Sequence, residues 1–92
     1  MEKILTLHPQ GKSGVNISLE KYSTIKDYIL EALKKYSNIT YQDLNQLAIK
    51  DLQDTFDGKV AWYLVSVKLD LEARGIIERI PKTSPHQLRL VD

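Results

Sequence analysis

G-K-V-A-W-Y-L-V-S-V-K-L-D-L-E-A-R-G-I-I-E-R, running from Gly58 to Arg79, decides how this chain is built. It predicts a helix of about four turns over residues 59–74, stopped by Gly75 and followed at once by a strand. At about 100° per residue, Val60, Leu64, Val67 and Leu71 fall on one face, with Tyr63 at its edge. A second apolar stripe of Trp62, Val65, Leu69 and Ala73 lies nearly opposite. A helix apolar on two sides is either sandwiched within its own chain or pressed on a partner.

Working outward, two further helices precede this one. Ser18 is a suitable N-cap for the first, residues 18–37, because its hydroxyl can accept from an unpaired first-turn amide. Tyr22, Ile25, Ile29, Ala32, Leu33 and Tyr36 recur there at spacings of three and four. Thr40 and Asp43 open the second helix, residues 40–54, in a capping-box-like arrangement. Leu44, Leu47, Ala48 and Leu52 form its stripe, and Asp57-Gly58 breaks the chain before the third helix, with Asp57 placed to cap it. Beyond Gly75, I-I-E-R-I and Q-L-R-L-V predict a hairpin over residues 76–91, turned at P-K-T-S-P-H. The leader, residues 1–17, has apolar residues at Ile4, Leu5, Leu7, Val15 and Ile17, and reads as an extended arm or loose hairpin. The expected core is Tyr22, Ile25, Ile29, Leu33, Leu44, Leu47, Leu52, Val60, Leu64, Val67, Leu71, Ile77 and Leu88.

This order, and V-K-L-D-L-E-A-R-G-I-I-E-R (Val67 to Arg79) above all, resembles the helix-to-wing junction of a winged helix-turn-helix. The resemblance implies an α+β, mainly helical fold in one domain, residues 1–92: three helices, a β-hairpin wing and an N-terminal arm. The whole chain also resembles a small family of uncharacterised bacterial proteins carrying L-H-P-Q-G-K-S-G-V-N-I, G-K-V-x-W-Y and V-K-L-D-L-E-A-R-G. That second likeness implies no activity. Winged helices read DNA, dimerise or scaffold other proteins, so function has to come from the site.

DNA reading would need polar side chains on the outer face of the third helix, because base edges are told apart by hydrogen bonds. Trp62, Val65 and Leu69 supply none. Asp51, Asp54 and Asp57 crowd the turn into that helix, and Asp70 and Glu72 sit in its second half, where acids repel phosphate. Thirteen basic against twelve acidic residues give a net charge of +1, without the basic excess on which phosphate binding relies. The candidates for DNA contact are Lys59 and Lys68 on the helix, Arg79, Lys82 and Arg89 on the wing, and Tyr63 or Ser66 near the groove. The preferred expectation is a non-catalytic interaction or self-associating module centred on Trp62, Val65, Leu69 and Ala73. Against it stands intramolecular cover of that stripe by the leader.

Other chemistry finds little footing. G-K-S at Gly11 to Ser13 resembles the end of a phosphate-binding loop, but Thr6 occupies the place of its first glycine. Lys12 and Ser13 remain a weak candidate for an anion nest. Asp51, Asp54 and Asp57 lack the alternate-residue spacing of a calcium loop, and Trp62 stands where its closing glutamate belongs. His8 and His86 are isolated, and no cysteine is present to serve as nucleophile, disulfide or zinc ligand. No cofactor, metal, small-molecule substrate or enzymatic activity is expected. Asn16-Ile17-Ser18 and Asn38-Ile39-Thr40 match the glycosylation pattern, but no secretion signal is evident. No run approaches the roughly 20 apolar residues of a membrane span, so no membrane partner is expected. A cytoplasmic location is expected.

Overall fold

A computed structural model describes residues 2–91. Over these described residues the fold is α+β and mainly helical, with three helices and two small antiparallel sheets. Strands β1 (Lys3–Leu5) and β2 (Asn16–Ser18) form a hairpin that leads into α1 (Leu19–Lys35). A short β3 (Ile39–Thr40) precedes α2 (Tyr41–Leu52), then come α3 (Val60–Ala73), β4 (Ile77–Ile80) and β5 (Gln87–Leu90).

Each helix begins or ends for a local reason. Ser18 Oγ accepts the Lys21 amide, and Thr40 Oγ1 accepts the Asp43 amide at 3.0 Å, so both expected caps form. Gly75 sits at φ +74°, where glycine is at ease. There its amide donates to the Glu72 carbonyl and the Ile76 amide to that of Leu71, the paired bonds of a Schellman stop. Asp57 does not cap α3, contrary to expectation. Lys59 holds the N-cap position without a side-chain bond, and the Asp57 carboxylate lies 3.8 Å from Lys21 Nζ instead.

The core gathers between α1, α2, α3 and the second sheet. Ile25, Ile29, Leu44, Leu64, Val67, Leu71 and Leu88 are fully enclosed, as their spacing predicts. Leu47 and Leu52, expected inside, only pack against the core from its margin. Ile17 and Ile39 join it, one from each short strand.

Of the two forms expected for the leader, extended arm or loose hairpin, the structure has the hairpin, with Ile4 opposite Ile17. One feature departs from the reading of the sequence. The second sheet has three strands in the order β3-β5-β4, because Ile39 pairs with Leu88 and Thr40 with Gln87. Two residues are too short a run to show a strand period, so β3 leaves no pattern to read. Its pairing ties the C-terminal hairpin to the start of α2.

Candidate functional site

The outer face of α3 is divided between cover and solvent. After β1 the chain crosses this face: Thr6, Leu7, His8, Ser13, Gly14 and Val15 enclose a small cavity of about 70 Å³ with Ser66 and Leu69. Beside it, Leu5, Leu7, Pro9, Lys12 and Ala73 border a wider hollow of about 410 Å³. The leader therefore covers Leu69 and Ala73, two of the four residues expected at an interface. Val65, like Leu69 and Ala73, is half-buried, while Trp62 remains 45 % exposed at the helix's N-terminal end.

What pins the leader is a residue the sequence reading misjudged. The sequence places Asp70 among the acids that would repel phosphate near a docking surface, yet it is fully buried. Its Oδ1 accepts the Leu7 amide at 2.8 Å, and its Oδ2 accepts the Tyr22 hydroxyl and Arg74 Nε, the latter at 2.8 Å. Burial alone would push this carboxyl up, but the bonds from Arg74, Tyr22 and Leu7 outweigh it, and its pKa lies below the ordinary value. The same pocket holds the Tyr22 phenol up at about 12, through burial first and then its bond to Asp70. Arg74 is raised in turn, chiefly by its hydrogen bond to Asp70.

Close backbone approach completes the attachment. Thr6 is buried; its amide donates to the Val15 carbonyl and its Oγ1 accepts the Val15 amide, both at 2.9 Å. A Cβ on Gly14 would lie 1.7 Å from the Thr6 carbonyl oxygen, so this glycine serves contact between two chain segments.

The residues weighed for DNA contact scatter. Lys68 is buried, not presented to phosphate: its Nζ lies 3.0 Å from Glu72 Oε2 and 5.1 Å from the centre of the Tyr41 ring. The reason is that Tyr41 and Glu72 supply a ring face and a carboxylate inside, which together hold the ammonium. Tyr63 is half-buried, edge-on to Phe56 and Trp62, with Lys21 Nζ over its ring. Ser66 donates to the Trp62 carbonyl at 3.0 Å and lies beneath the leader, so neither side chain is free to reach a groove. Lys59, Arg79 and Lys82 are exposed. Arg89 is exposed as well, but spends its guanidinium on Glu78 at 3.3 Å.

Lys12 and Ser13 do share one hollow with His8, yet both are exposed, and the His8 Nδ1 accepts the Gln10 amide. Among the described residues, no group of three His, Cys, Asp or Glu side chains is placed to hold a metal ion. Among them, too, no helix is long and apolar enough to cross a membrane.

A faint signal for the missed residues was present. Asp70 and Arg74, and Lys68 and Glu72, are both i,i+4 pairs of opposite charge on a helix otherwise apolar on two faces. With little surface left for solvent, one member of each pair, Asp70 and Lys68, lies inside.

No curated protein and no solved structure matches the chain. A family of unknown function, DUF6958, matches residues 3–88, and the chain belongs to that family.

Proposed function

We propose that this chain is a non-catalytic interaction module of winged-helix type, which self-associates through the uncovered N-terminal end of α3. Support for the architecture comes from the order of three helices and a hairpin, with β3 pairing the hairpin's second strand between α1 and α2. Support for the contact comes chiefly from Trp62. The leader stops short of it, leaving a large indole 45 % exposed beside half-buried Val65, with Leu7 itself 44 % exposed on the covering segment. Tryptophan at such a place buries much area on contact at small conformational cost.

Sedimentation equilibrium tests the reading. The wild type associates with rising concentration, while Trp62→Lys stays folded and monomeric. A wild type that is monomeric throughout rejects self-association.

A second reading, binding to a DNA backbone, draws on exposed Lys59, Arg79 and Lys82. It ranks lower because the leader lies over the middle of the helix that would have to enter the groove.

A further inference from the structure

The side of α3 turned away from the leader carries a second polar cluster, half-buried around a buried Lys68. Lys68 and Glu72 contribute from α3, Tyr41 from the start of α2, and His86 from the end of the turn between β4 and β5. The His86 and Tyr41 rings stack with centroids 5.6 Å apart and 8° between planes, and the Tyr41 amide donates to the His86 carbonyl at 3.1 Å. Lys68 Nζ occupies the neighbourhood of the Tyr41 ring and pairs with Glu72. This cluster is not satisfied. His86 Nε2 is buried without a protein hydrogen bond, and buried Glu72 Oε2 has only the Lys68 ammonium, 3.0 Å away, beside it. Asn45 Oδ1, one turn along α2 from Tyr41, is also buried without a protein hydrogen bond.

We infer that His86 is a proton-operated latch on the wing. While neutral, it holds the β4–β5 turn against α2 and α3; once protonated, it releases that turn from them.

The charges facing His86 set the direction. Tyr41 faces it from α2, Lys68 and Glu72 act on it from α3, and Arg79 acts from β4. Burial first, then Lys68 and Arg79, push the imidazole below its ordinary value, with Glu72 alone pulling it up. Tyr41 stays a neutral phenol, since burial raises it. Protonation places a further cation beside Lys68 and Arg79, with one carboxylate to share. If Glu72 turns to the imidazolium, Lys68 is left buried and unpaired, which is costly. Swinging residues 81–86 outward avoids both costs. It gives up the ring stack, the Tyr41 amide bond and the neighbouring Thr40–Gln87 pair, while the four-residue pairing of β4 with β5 can persist.

Amide hydrogen exchange on the full chain, followed by NMR from pH 7.5 to 5 and corrected for intrinsic rates, tests this. The Tyr41 amide reports the latch, and the Leu7 amide, bonded to Asp70, is the reference. Opening at Tyr41 takes up one proton, so its opening constant rises below pH 6.5 by up to about tenfold per pH unit. Leu7 stays level, and His86→Phe, which keeps a ring for the stack, removes the slope. A level Tyr41 in the wild type, or a slope that survives His86→Phe, overturns the latch. Should that variant not fold, the ¹³C titration of His86 in the wild type decides: a midpoint below the ordinary imidazole value supports the latch, and an ordinary one overturns it.

Discussion

The two flanks of α3 each carry an i,i+4 ion pair with one buried member, Asp70 on one side and Lys68 on the other, and they have been finished differently. On the wheel, Asp70 and Lys68 lie about 160° apart, on either side of the Val60-Leu64-Val67-Leu71 stripe. On the leader side, Asp70 collects bonds from an amide, a hydroxyl and a guanidinium supplied by the leader, α1 and α3. On the side of the β4–β5 turn, His86 Nε2 is buried without a protein hydrogen bond, and Glu72 Oε2 meets only the Lys68 ammonium at 3.0 Å. A completed network in low dielectric rigidifies what it joins, and an incomplete one is held with little margin. The leader is thereby fastened and the β4–β5 turn poised. Connectivity alone would not separate them, since both are antiparallel hairpins beside α3.

The largest expected effect breaks the finished side. Asp70→Ala strips a buried carboxylate from its donors and should cost about 3–5 kcal/mol in urea unfolding. A loss below about 1 kcal/mol would mean the cluster does not fasten the leader. Next comes Gly14→Ala, whose Cβ collides with the Thr6 carbonyl and forces the two leader segments apart. About 1–3 kcal/mol is expected from such overpacking, with protease cleavage within residues 6–15 well before global unfolding.

Acid sharpens the contrast between the flanks. Asp70 has a lowered folded pKa, so its stabilisation is whole above the unfolded value of 3.8 and drains away as pH falls through the folded one. His86 is also lowered, but it is a base: below 6.5 the unfolded chain takes up the proton that the folded chain resists. Its contribution is whole above pH 6.5, declines below that, and levels off once the folded form is protonated too. Two separate acid-sensitive steps should appear in unfolding free energy against pH. The upper one vanishes in His86→Phe and the lower one in Asp70→Asn. The smallest effect on stability is at Trp62→Lys, within about 0.5 kcal/mol, because the indole already meets solvent. Its effect on association is expected to be complete.

Much of this arrangement was legible in the residues. Three- and four-residue spacings gave the helices, and Ser18, Thr40 and Gly75 gave their ends, because caps and stops are local chemistry. The cover over Leu69 and Ala73 was visible only as one of two choices, since periodicity says that a face is apolar and not what lies on it. Asp70 and Lys68 were read wrongly because a charged residue is exposed by default. Their partners Tyr22, Leu7 and Tyr41 lie 27 to 63 residues away in the chain, beyond any local pattern. His86 looked isolated for the same reason: its ring partner Tyr41 is brought to it by β3, a strand too short to announce itself.

Protein, not nucleotides, occupies the outward side of α3 where the leader crosses it. The most direct measurement is a titration of mixed-sequence duplex DNA against the full chain at low salt. No salt-sensitive binding is predicted, because the leader lies over Ser66, Leu69 and Ala73. Binding that weakens steeply with salt, and whose salt slope shrinks in Lys82→Glu and Arg89→Glu, would contradict it.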